Sequence, residues 1–190
     1  MITSIPSLTG GTREQIMNAA QRMIEKRSYL GFSFQDIADE IGIRKASLYH
    51  HFPTKEALGE EVIREATRKF SEWTGGMHYA PEKKLKAYFL MYRNALHAGE
   101  GMCPAGALAP GWDCINDGLR DAVRDLRSTQ VRWLTGLLEE LKPAGKQPPA
   151  KLAAYIFAVC QGGLIAARMT EDVADFDDTL AQLKNSLYDK

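Results

Sequence analysis

The sequence is poor in what a secreted, metal-dependent or membrane-spanning chain requires. It has three cysteines in 190 residues, Cys103, Cys114 and Cys160, and they share no short spacing. An odd count at such distances fits reduced thiols better than a disulfide framework, and it falls short of the closely spaced ligands of a structural zinc site. Net charge is also missing. The 24 basic side chains are matched by 24 acidic ones, so no bulk field draws the chain to nucleic acid, and any such contact must be local. No stretch approaches the ~18 uninterrupted apolar residues of a membrane span, and no membrane association is expected. Residues 1–11 lack the basic start and apolar centre of a secretory signal, and their Pro and Gly content reads as a flexible arm. Neither a Gly-x-Gly-x-x-Gly nor a P-loop pattern occurs, and no nucleophile, base and orienter group around a cysteine. Together these absences lead to an expectation of a cytoplasmic, non-enzymatic chain without metal or cofactor.

Helical periodicity fills the rest, and convincing strand alternation is missing, so the fold class is expected to be all-α with about nine helices. Thr12-Arg-Glu-Gln15 has the pattern of a capping box, with Ile16, Ala20, Met23 and Ile24 on one face of the helix it opens. Gly31 is the expected left-handed stop. Ser33-Phe-Gln-Asp36 opens a second helix in the same way. Thr54 caps a longer one with the stripe Leu58, Val62, Ala66, Phe70 and Trp73, and Pro81 starts the next. Gly99 to Gly111 is a break with room for one short turn after Pro104. Long helices are then expected from about Asp113 to Leu141, from Ala150 to Thr170 and from Phe176 to Tyr188.

The informative segment runs from Phe34 to Phe52. Ile37 and Ile41 share a face of one helix, with small Ala38 between them, which lets a second helix cross closely. Gly42 follows where a tight turn calls for positive φ. Ile43, Leu48 and Phe52 anchor the second helix. With those inside, Lys45, Ala46, Ser47, Tyr49 and His50 face outward. That is the mechanical layout of a helix-turn-helix, whose second helix reads base edges in the major groove. Lys and Ser suit base acceptors, Ala a thymine methyl, and Tyr49, His51 and Lys55 suit phosphates. Ordinary helix packing is the alternative for Ala38 and Gly42 alone. His50 and His51 point about 100° apart on a helix, which does not suit a shared metal.

Gly31-Phe-Ser-Phe, Ile37-Ala-Asp-Glu-Ile-Gly and Ser47-Leu-Tyr-His-His-Phe-Pro-Thr-Lys-Glu-Ala-Leu58 resemble the N-terminal domain of TetR-family repressors, in register from Thr12 to Val62. The resemblance implies a flexible arm (1–11), a three-helix DNA-binding domain (12–53) and a helical bundle for ligand binding and dimerisation (54–190). It places Ser33, Gln35, Lys45, Ala46, Ser47, Tyr49, His50, His51 and Lys55 where family members touch DNA. Phe34 departs from the pattern, because many members carry Thr there. The segment from Met1 to Phe70 has ten basic and nine acidic residues. A net of +1 neutralises few phosphates, so binding is expected from a homodimer on a palindromic operator.

The helix from Ala150 to Thr170 is rich in small residues and apolar almost all round, as a helix buried on more than one side must be. The resemblance makes the last two helices the dimer contact; an interior helix of a monomer is the alternative. It also implies a pocket in the middle helices for a small apolar or electrophilic effector that releases the repressor from DNA. Trp73, Tyr88, Tyr92, Cys103, Trp112 and Trp133 are the candidate lining, although aromatics also fill ordinary cores. Cys103, just before Pro104, stands where some such regulators carry a sensor thiol. The alternative for Cys103, and the expectation for Cys114 and Cys160, is plain packing. An enzyme using the pocket, or an adaptor binding protein through the helix-turn-helix face, are the rival readings.

Overall fold

A computed structural model describes residues 11–97, 102–143 and 147–188. Most of the expected arm, the start of the expected Gly99 to Gly111 break and residues 144–146 lie outside these residues. The helices are α1 (Thr12–Arg27), α2 (Phe34–Ile41), α3 (Lys45–His51), α4 (Lys55–Gly75), α5 (Pro81–His97), α6 (Pro104–Ala107), α7 (Asp117–Leu141), α8 (Pro149–Thr170) and α9 (Val173–Tyr188). Two 3₁₀ turns, Tyr29–Gly31 and Ala109–Cys114, join them. No strand occurs among the described residues.

Four local expectations are corrected. Thr12 is already helical; the capping position is Gly11, which has no side chain to bond, so the first helix has no capping box. Gly31 is not the stop of α1. The chain turns at Ser28, at φ 63 and ψ 164, and Gly31 lies in the 3₁₀ turn that follows. The long helix starts at Asp117 rather than Asp113, because the Asn116 side chain accepts from Leu119 N at 2.9 Å and caps it there. Pro110 and Gly111 keep the preceding residues in 3₁₀ turns. The last helix begins three residues earlier than expected, at Val173, behind an Asp172 carboxylate that accepts from Ala174 N at 2.8 Å.

Two cores hold the chain. The first gathers Ile16, Ile24, Ile37, Leu48, Phe52 and Leu58 with Leu108 and Leu119, so α1–α4 pack directly on the α6 segment and the start of α7. The second gathers Phe70, Tyr88, Leu134, Ile156, Leu164 and Phe176 from α4, α5, α7, α8 and α9. Both α4 and α7 run through the two cores, so the N-terminal helices rest on a rigid beam rather than a hinge. By length and hydropathy α8 is able to cross a membrane. Here its inner face packs on α7 and α9, and Gly163 sits so close to Phe176 that a Cβ would meet the ring at 2.9 Å.

Candidate nucleic-acid interface and effector cavity

The helix-turn-helix is built as its residue types require. Ser33 and Asp36 form a reciprocal capping box at the start of α2. The Ser33 amide donates to Asp36 Oδ2 at 2.7 Å, its hydroxyl donates to the same oxygen at 2.5 Å, and Asp36 N donates back to Ser33 Oγ. These bonds, the Ser33 hydroxyl first, hold the Asp36 carboxyl below the usual carboxylate range, and Arg27 at 3.8 Å adds to them. Gly42 ends α2 at φ 71 and ψ 33, a left-handed turn that glycine adopts without cost, and its N–H reaches Ala38 O. Ala38, Ile37, Leu48 and Phe52 are buried, and Ile41 and Ile43 pack partly against them.

With those side chains inside, Lys45, Ala46, Tyr49, His50 and His51 are exposed, and Ser47 is half-buried. Tyr49 is 51 % exposed, and its ring rests on buried Phe34 with centroids 5.1 Å apart. The bulky residue that departs from the family pattern is therefore a pedestal for Tyr49. A shallow depression brings Ser33, Lys45, Tyr49, Thr54 and Lys55 together. Gln35, exposed on α2, donates to Asp39 at 2.7 Å.

Lys55 is placed differently from the expected phosphate contact. Its ammonium turns inward, donates to Tyr29 O at 2.6 Å and Phe32 O at 2.5 Å, and lies over both rings. Desolvation there pushes its pKa down. Its evident work is to tie the 3₁₀ turn to the start of α4.

A cavity of about 380 Å³ lies between the N-terminal helices and the bundle. Of the expected lining residues, Trp73, Tyr92 and Cys103 border it. Tyr88 stands behind Tyr92, with ring centroids 5.2 Å apart. Trp133, half-buried, packs against the second core with its ring on Phe70 and Tyr88, and Trp112 packs against the first with the Arg124 guanidinium over its ring; neither borders the cavity. Cys103 is half-buried at the start of α6. Cys160 is buried, and that burial pushes its thiol up to about 12. Cys114 is exposed rather than packed.

The matching family model, described as bacterial regulatory proteins of the tetR family, covers residues 16–62, from the first buried residue of α1 into α4. The LmrA transcriptional regulator of Bacillus subtilis is 27% identical over 164 residues, covering 82% of this chain and 86% of that protein. A TetR transcriptional regulator from Legionella pneumophila superposes with a TM-score of 0.85 at 26% identity, over 95% of this chain and 99% of that one. The chain belongs to the TetR family. It is accordingly a DNA-binding transcriptional regulator and not an enzyme, in a family that binds DNA operators and is typically dimeric. The KstR2 transcriptional repressor of Mycolicibacterium smegmatis is 33% identical over 97 residues, but that match spans only 45% of its length.

This TetR-family chain also has features that the sequence reading passed over. Gln130 is buried in the α7 stripe of Val123, Leu126, Leu134 and Leu137, and a polar residue in an apolar stripe was the available signal. Its Oε1 receives the hydroxyls of Tyr88 at 3.1 Å and Tyr92 at 2.9 Å. Arg168 of α8 donates to the carbonyls of Glu25, at 3.2 Å, and Lys26 at the end of α1. Met102 N donates to the same Glu25 carbonyl at 3.2 Å, and Ser28 Oγ donates to Ala107 O at 2.8 Å. No local pattern signals that joint, because its partners are 77 to 143 residues apart. Arg44, exposed at the capping position of α3, is a further cation on the outward face.

Proposed function

We propose that this regulator is a homodimeric repressor whose α3 enters the major groove of a palindromic operator. Lys45, Ala46, Ser47, Tyr49 and His50 meet the bases, and Ser33, Gln35, His51 and Arg44 lie against the backbone. The observation that carries the reading is the division of α3: Leu48 and the capping Phe52 are buried, Lys45, Ala46, Tyr49 and His50 are exposed, and Ser47 is half-buried between them. The repressor character is supported by relatives bearing that name, KstR2 among them. In this reading residues 12–53 act as the reading head, residues 54–190 as the sensing and pairing body, and the protein works in the cytoplasm.

The cavity beside Cys103 is the effector site in this scheme. A small apolar molecule there, or modification of the Cys103 thiol, presses on Met102 and α6, which hold the carbonyl end of α1. Ser28 supports the idea of a loaded joint. A non-glycine residue at φ 63 and ψ 164 costs of order 1–3 kcal/mol and stays there only while its surroundings hold it. Movement of α6 relaxes Ser28, reorients α1 and so changes the spacing of two reading heads in a dimer.

The test is footprinting and equilibrium binding on the protein's own upstream DNA. Binding that is specific, salt-dependent and weakened by Lys45→Ala or Tyr49→Ala is expected. Binding unaffected by both changes removes α3 as the reader.

A further inference from the structure

The cavity wall is mainly apolar, with Phe70, Trp73, Met91 and Met102 as its largest apolar side chains, and its polar groups are few. Most of those are engaged. Gln21 Nε2 donates to Glu25 at 2.9 Å, and the Tyr92 hydroxyl donates to Gln130 Oε1. Gln130 is 3% exposed, yet its Nε2 donates to no described residue and is not sealed in the core, so the amide N–H opens into the cavity.

The orientation of that amide follows from its neighbours. Gln161 Nε2 donates to the Tyr92 oxygen at 3.3 Å, so the Tyr92 O–H must find another acceptor. Tyr88 has Tyr92 and Gln130 as its hydroxyl partners. Burial holds both phenols protonated, each well above its ordinary pKa. With Oε1 toward the tyrosines, both hydroxyls have an acceptor. With the amide reversed, one buried O–H has none, at a cost of about 1–3 kcal/mol. The two tyrosines therefore aim the Gln130 N–H away from themselves.

Charge narrows the occupant further. Both charge signs border the cavity: the buried Glu25, and the exposed Lys69, whose ammonium lies 3.7 Å from Glu65. An anion meets the first and a cation the second. The volume is at the lower end of ligand pockets, which run from roughly 300 to 1,000 Å³.

We infer that the cavity takes a compact, uncharged, largely apolar molecule bearing one hydrogen-bond acceptor of the ketone-carbonyl type, which Gln130 Nε2 holds. This rests on the reading of the cavity as the effector site. The acceptor supplies orientation, and the apolar walls supply most of the affinity.

The test uses two non-electrophilic probes of matched size, 2-acetonaphthone and 2-isopropylnaphthalene, titrated calorimetrically into the full-length protein. The ketone should bind about tenfold more tightly, as one buried hydrogen bond allows. Gln130→Met should reduce that ratio to near one, and Ala95→Phe, which fills the cavity, should abolish both titrations. Equal affinities in the wild-type protein overturn the Gln130 assignment and leave the cavity reading intact; this arm needs no variant to fold. No binding of either probe, or binding that survives Ala95→Phe, overturns the cavity reading and the inference with it.

Discussion

Two lysines ten residues apart show how little a residue's type says about its task. Lys45 stands at the front of α3, exposed. Lys55 stands at the front of α4, half-buried, with its ammonium turned inward against two carbonyls and two rings. Removing Lys45 should therefore change affinity and not stability. Lys45→Ala is expected to cost about 1–3 kcal/mol on the operator, roughly a 5- to 150-fold loss, with an unchanged Tm. Lys55→Met removes charge-assisted bonds that tie the 3₁₀ turn to α4, and should lower Tm by about 3–8 °C. Gel-shift titrations beside melting curves on both variants check the division. If Lys55→Met melts like the wild type but binds operator poorly, the lysine is a DNA contact after all. Asp36 gives a residue-scale dependence on pH. Its pKa is depressed in the folded protein, chiefly by the Ser33 hydroxyl, so the cap's contribution is present above the ordinary carboxylate range and is lost as pH falls through the lowered value. Ser33→Ala should return the Asp36 titration toward its ordinary position, as carboxyl NMR would register. An unmoved titration would assign the shift to the Ser33 backbone amide, which the substitution keeps, and to Arg27.

Among the elements, α1 shows most clearly what local sequence can and cannot determine. Its apolar face was legible because a buried stripe must repeat at helical spacing, and Ile16, Ala20, Met23 and Ile24 are all inside. Both of its ends were misread. Thr12 has the right chemistry for a cap but lies one position too late, and Gly31 has the right freedom for a stop but Ser28 makes the turn. The C-terminal end is decided by Arg168, Met102 and Ala107, all distant in sequence. By contrast α2 was legible at both ends because its cap and its left-handed glycine lie within nine residues of one another. The same logic holds for the cavity. Trp73, Tyr92 and Cys103 could be named from residue type, whereas Trp112 and Trp133 were drawn into other packing by the path of α7. A joint built from remote groups is testable as a unit. Arg168→Ala should leave the fold and operator site intact while costing about 1–2 kcal/mol. Amide exchange should quicken in the last turn of α1 and at Met102. If protection there is unchanged, the carbonyl end of α1 is held by the α6 segment alone, and α8 is not part of the joint.

Across the whole molecule the problem is charge. A reading head with a net charge near +1 gains little from counterion release, so one copy should bind DNA weakly. A second copy at fixed spacing is the remedy, and α8 has a face suited to it. Ala153, Ile156, Cys160, Gly163, Leu164 and Ala167 point into the chain's own core. Tyr155, Ala158, Gly162, Ile165 and Met169 fall on the opposite side, exposed, with Met169 at 81%. Gly163 lets α9 approach within the subunit, whereas a Cβ on Gly162 would meet only open space. Ile165→Asp places a charge in the middle of that outer face and touches nothing inside. It should convert a dimer to a well-folded monomer in sedimentation velocity. The same variant should lose most operator affinity, and the slope of log K against log salt should fall to about half, because each lost phosphate contact removes about 0.9 from it. A variant that remains dimeric would move the pairing surface away from α8. A monomer that keeps the full slope and affinity would mean that one near-neutral head grips DNA unaided, contrary to the charge argument.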